Sequence, residues 1–76
     1  MEKIKVLVNF DGPKITPLAF RRAGRLYKNL RLNMVYHLRE GDKTIFKFFV
    51  SDKANSYQLR FDSETLEWFF EEIINQ

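Results

Sequence analysis

Apolar residues recur at every second position through most of this chain, a period that fits a half-buried strand and not a helix. Ile4, Val6, Val8 and Phe10 share one face, with Lys3, Lys5 and Asn9 on the other. Leu30, Leu32, Met34, Tyr36 and Leu38 alternate with Arg31, Asn33, Val35 and His37. Phe46, Phe48 and Val50 alternate in a β-branched and aromatic run, and Tyr57, Leu59 and Phe61 alternate with Gln58, Arg60 and Asp62. Asp11-Gly12-Pro13 and Glu40-Gly41-Asp42-Lys43 read as turns between these runs, the second a hairpin turn in which Gly41 takes φ > 0. Ser51 to Ser56 reads as a polar loop. Four strands follow directly.

Two stretches admit either period. Thr16-Pro17 is a good helix start, with Thr as N-cap and Pro at the first helical position, and Leu18, Leu26, Leu30 and Met34 would line a helical face after it. Gly24 costs such a helix about 1 kcal/mol, and the strand alternation from Leu30 competes with it. Near the C-terminus, Leu66, Phe69, Phe70, Ile73 and Ile74 match helical spacing, with Asp62 or Ser63 as caps. Trp68 falls off that stripe and joins Leu66 and Phe70 on one face of a strand. Periodicity alone slightly favours the helix there.

The chain has 76 residues and no cysteine. A domain of that size buries only roughly 60% of its unfolded surface, and here no disulfide assists the core. Ile45 and Phe49 oppose Phe46, Phe48 and Val50, and Phe69 and Ile73 oppose Leu66, Trp68 and Phe70, so apolar residues lie on both faces of the sheet. A sheet this small must close on itself, add a helix or pair with another copy. The expectation is a single all-β domain over residues 1–76, a curved sheet or incomplete barrel of about six mostly antiparallel strands. The alternative is an α+β fold with a C-terminal helix. Phe20, Leu30, Leu32, Met34, Tyr36, Phe46, Phe48, Val50, Leu59, Phe61 and Trp68 are the expected core.

The run Pro17-Leu18-Ala19-Phe20-Arg21-Arg22-Ala23-Gly24-Arg25-Leu26-Tyr27 resembles the Pro-x-x-Phe-x-Trp-x-Gly-Arg-x-Tyr signature of a bacterial family of uncharacterised small β domains. Tyr57-Gln58-Leu59-Arg60-Phe61-Asp62, followed by Trp68 and Glu71-Glu72-Ile73, is similar to that family's closing hairpin. Arg22 stands where the signature has Trp, and Leu66 where a turn Gly is common. The resemblance covers most of the chain from Pro17 to Ile74 and implies an all-β sheet or partly closed barrel from a bacterium, without an assigned reaction. Some relatives resemble segments appended to Y-family DNA polymerase proteins, which implies a neighbourhood and not an activity.

Catalytic and metal chemistry find little support. His37 is the single histidine, and one His without Cys cannot supply a structural zinc site. Its nearest acid, Glu40, is three residues along a strand and so on the opposite face. Ser51, Ser56 and Ser63 lack a nucleophile-elbow context, and Gly12, Gly24 and Gly41 are too scattered for a phosphate loop. No enzyme activity, metal or cofactor is expected. The start Met1-Glu2-Lys3 leads into a segment too short and charged for a signal-peptide core, and no apolar run approaches the roughly 20 residues of a membrane span. A cytoplasmic protein without a membrane partner is the expectation.

Charge placement says more than the net +3. From Gly12 to Arg39 there are seven cations and no acid; from Asp62 to Gln76 there are five acids and no cation. Arg21, Arg22, Arg25, Tyr27, Lys28 and Arg31 are therefore candidate nucleic-acid contacts, with Tyr27 available to stack on a base. Arg25, Asn29, Arg31, Asn33, His37 and Arg39 share the odd-numbered face if this segment is one extended strand. In the competing arrangement these arginines pair with Glu67 and Glu71 on a neighbouring strand. A second candidate surface is apolar: Phe49, Phe69 and Ile73, exposed together, would dock another protein or a second copy of the chain. The domain is expected to be a binding module, leaning toward nucleic acid.

Overall fold

The alternating runs fold as strands. The computed structural model describes residues 1–74, and they contain no helix. Seven strands form: β1 (Glu2–Asp11), β2 (Lys14–Arg22), β3 (Arg25–Tyr27), β4 (Arg31–Glu40), β5 (Lys43–Ser51), β6 (Ser56–Asp62) and β7 (Glu67–Ile74). They make one curled sheet, a half-barrel, in the order β3-β2-β1-β7-β6-β5-β4, with every neighbouring pair antiparallel. The all-β expectation holds. The strand number is seven rather than about six, because the Pro17 segment runs as β2 and turns back into the short β3. The alternative C-terminal helix is replaced by β7: Trp68 and Phe70 are buried on one face, which a helix would have split.

β3 and β4 behave as two halves of one bent strand. Asn29 takes φ +57° in the connection, and the Leu30 amide still donates to the Leu18 carbonyl of β2 at 3.3 Å. Beyond Leu30 the chain leaves β2 and pairs with β5. The bend therefore bridges the two ends of the strand order and draws the sheet into its curl.

The core fills the concave face. Phe20, Phe48, Val50, Tyr57, Leu59 and Phe61 are at most 3% exposed, and Ile4, Trp68 and Phe70 complete the cluster. Aromatic contacts knit it across strands: Phe61 lies 4.6 Å from Trp68, Trp68 5.2 Å from Phe48, and Phe20 stacks on Tyr27 at 4.7 Å. Leu30, Leu32 and Phe46 pack against its margin as partly buried residues. Met34 and Tyr36 were expected in this core and are exposed instead. A β-bulge between Leu32 and Met34 is the cause: Leu32 opposes Val50, but Val35 opposes Phe48 and His37 opposes Phe46. One extra residue reverses which side chains face inward.

Five connections use the left-handed region, among them the β1–β2 turn at Gly12 and the bend at Asn29. Ala23 and Gly24 both have positive φ in the two-residue β2–β3 loop, as a type I′ turn requires. Gly41 opens the β4–β5 hairpin at φ +63°, as its sequence context indicates. Leu66 ends the β6–β7 turn at φ +62° with its side chain 69% exposed, and its amide donates to the Asp62 carbonyl at 2.8 Å. A leucine there carries the Cβ clash of the left-handed region, about 1–2 kcal/mol, with little packing in return. Leu66→Gly is expected to raise stability by about 0.5–1 kcal/mol after the backbone entropy of glycine is subtracted. Thermal melts should show a rise of a few degrees for Leu66→Gly and none for Leu66→Ala, which keeps the Cβ.

Candidate basic interface

The acidic C-terminal segment does not neutralise the basic one. Two strands, β5 and β6, separate β4 from β7, so Arg31 and Arg39 have no register neighbour in Glu67 or Glu71. The β7 acids engage other cations: Glu67 pairs with Lys3 at 2.8 Å, and Glu71 with Lys47. Elsewhere Asp62 accepts from Lys43 at 2.9 Å, and Glu40 takes both terminal nitrogens of Arg60 at 2.9 and 2.7 Å. These last three pairs and the Gln58–Glu71 hydrogen bond lie on the convex face of β4–β7.

Of the six candidate nucleic-acid contacts, two are engaged in the fold. Arg22 bonds Glu2 at 3.0 Å, and its planar guanidinium lies 4.0 Å over the Phe70 ring. Tyr27 stacks one face on Phe20, meets Tyr57 edge-on at 5.5 Å, and has the Arg25 guanidinium 5.0 Å from its centroid. No open ring face is left for a base. Arg21, Arg25, Lys28 and Arg31 are exposed, and none forms an ion pair among the described residues.

Arg21 stands on the outer face of β2, opposite Lys5 on β1 and Leu26 on β3. Arg25, Lys28 and Arg31 gather where the β3–β4 bend meets the β5–β6 turn. Tyr27 touches Tyr57, whose hydroxyl donates to Asp52 at 2.8 Å, and Arg31 opposes Ser51. Asp52 builds that turn by accepting from the Ala54 and Asn55 amides, both at 2.8 Å. Burial raises the Asp52 pKa, but the Asn55 amide, the Tyr57 hydroxyl, the Ala54 amide and the positive charge of Arg25 together hold it below the usual value. Lys53, exposed on the same turn, joins the cluster. Sequence reasoning missed it because only the Tyr27–Tyr57–Asp52 contacts bring this turn beside Arg25. The odd-numbered stripe is not one surface: the bend at Asn29 and the bulge after Leu32 divide Arg25 and Arg31 from His37 and Arg39.

The structure also disperses the apolar trio. Phe69 opposes Arg60 and Phe49 opposes Gln58 on the convex face, both half-buried with charged and polar residues between them. Ile73 opposes Tyr57 on the concave side, because a bulge at Glu71 reverses the end of β7. The convex apolar group that does form is Met34, Tyr36 and Phe49, with Tyr36 and Phe49 stacked at 5.9 Å. Among the described residues there is no cluster of acids and His suited to a metal ion, and no helix long and apolar enough to cross a membrane.

Four carboxylates are held below their ordinary values. The Arg60 guanidinium lowers Glu40, the Lys43 ammonium lowers Asp62 with help from the Glu64 and Thr65 amides, Lys3 lowers Glu67, and Asp52 is lowered as described. A depressed folded pKa contributes stability that is complete above the unfolded pKa and lost as pH falls through the folded one. The urea midpoint should therefore be flat down to about pH 5 and fall below about pH 4, with Asp62→Asn shallowing the acid limb. Arg60 is buried, and its Nε has no partner among the described residues, so Glu40 carries its compensation. Glu40→Ala should lower the urea midpoint, and adding Arg60→Met should recover it, because removing both charges abolishes the uncompensated one. No family model, curated protein or solved structure matches the chain, so its function is read from this geometry.

Proposed function

We propose that this domain is a non-catalytic binding module that associates with single-stranded nucleic acid through Arg21, Arg25, Lys28, Arg31 and Lys53. The supporting observation is that these exposed cations form no ion pair among the described residues, while Glu67 and Glu71 of β7 are engaged by Lys3 and Lys47. Free cations at the β3–β4 bend, with Arg21 on the outer face of β2, release phosphate counterions on contact, which drives association without sequence readout. Tyr27, held between Phe20 and Arg25, does not stack on a base, so the contacts are with the phosphate backbone.

Such binding is weak, indifferent to sequence and steep in salt. With four phosphate contacts, log K should fall by about 3 per decade of salt. Fluorescence anisotropy of labelled oligothymidylate near 50 mM salt tests this. Arg25→Glu with Lys28→Glu should abolish binding, since neither residue has an ion pair to lose. Affinity unchanged by that reversal, or unaffected by salt, contradicts the proposal.

A further inference from the structure

The half-barrel closes along only part of its seam. β2 pairs with β3 from Phe20 to Arg22, and the Leu30 amide donates to Leu18, but no backbone bond joins β2 to the bent strand beyond that point among the described residues. From there β4 runs to Glu40 with its outer edge unpaired, and the Lys14–Pro17 half of β2 is likewise open on that side. Between the two edges lies a cavity of about 200 Å³ lined chiefly by Ile15, Leu32, Val35, Phe46 and Phe48. Lys14 and His37 stand at its wall.

Long open edges with apolar flanks are uncommon in monomeric sheets, which blunt them by shortness, bulges or cover. Here β4 has ten residues, and Met34, Val35 and Tyr36 are each more than 40% exposed. The bulge lies at one end, so the backbone from Met34 to Glu40 remains a regular template.

We propose that this seam accepts an extended acidic peptide, which adds as a strand to the β4 edge and places an apolar side chain in the cavity. Three features select this occupant. An edge of amides and carbonyls matches another peptide backbone, which a nucleic acid does not supply. The cavity is lined mainly by apolar side chains. The charges beside it are positive and unpaired: Lys14 and Arg39 are exposed and form no ion pair among the described residues. The nearest acid on β4, Glu40, is held by Arg60. A second copy of the chain would bring β4 against β4, setting a basic strand against a basic strand. An acidic partner avoids that repulsion. This surface is separate from the cluster at Arg25 and Lys28, so the two can be tested independently.

The probe is a labelled peptide of about eight alternating Glu and Val residues, titrated into the full chain by anisotropy, with amide hydrogen exchange as a second readout. Binding should protect β4 amides between Met34 and Glu40. N-methylation of alternate amides in the peptide, which keeps charge and side chains but removes edge hydrogen bonds, should weaken binding by about tenfold or more. Lys14→Glu with Arg39→Glu should weaken the peptide similarly and leave oligothymidylate binding intact, while Arg25→Glu with Lys28→Glu should do the reverse. Equal binding of the N-methylated peptide shows charge attraction alone and overturns the proposal. So does concentration-dependent β4 protection without peptide, which identifies a second copy as the occupant.

Discussion

The shape of this domain depends on a short piece of chain, residues 28–30, that joins β3 to β4. These strands stand at opposite ends of the order β3-β2-β1-β7-β6-β5-β4. Laid flat, six inter-strand spacings of about 4.8 Å would hold them about 29 Å apart. The four Cα steps from Tyr27 to Arg31 reach at most about 15 Å. The sheet must therefore roll until its ends approach, and the molecule is correspondingly compact, with extents of 35 × 26 × 22 Å. Asn29 supplies the bend, being one of the few residue types other than glycine that tolerate the left-handed region. Rolling encloses one face, and the large aromatics Phe20, Phe48, Tyr57, Phe61, Trp68 and Phe70 fill it. The same bend leaves the seam half open: beyond Leu30, β4 pairs with β5 on one edge and has no backbone bond to β2 on the other among the described residues.

Curvature also separates the roles of the two faces. The concave face is a dry aromatic cluster, whereas the convex face of β4–β7 carries Glu40–Arg60, Lys43–Asp62 and Lys47–Glu71. Ile45 is fully buried on this convex side, opposite Leu38 and Asp62. Long charged side chains can cover apolar surface with their stems while their heads pair above it. That offers a second solution to the problem of apolar residues on both faces, without helix or dimer. It also determines which cations stay free. Acids of β7, β6 and the end of β4 meet their partners on the convex strands, and the arginines at the β3–β4 bend are left to solvent.

Much of this was legible in the sequence. The strands around Ile4, Phe48 and Leu59 follow from strict alternation, and the hairpin at Gly41 from its neighbours. The positive φ of Leu66 was not readable from the residue itself, since leucine is disfavoured in the left-handed region. What could not be read were single-residue insertions into the ladders. The bulge after Leu32 exposed Met34 and Tyr36, and the bulge at Glu71 moved Ile73 to the other face from Phe69. A bulge is a mismatch between two strands, and neither strand's own sequence records it.

The same division holds for the candidate sites. Sequence by itself determined four of the seven strands, the hairpin turn at Gly41 and the segregation of +7 from −5 along the chain, because these depend on residues next to one another. Only the tertiary structure decided whether the two charged segments meet, that Tyr27 is enclosed, that Lys53 joins Arg25, and that the seam beside β4 stays open. Those outcomes depend on strand order and on the curl that three connecting residues then impose on the sheet.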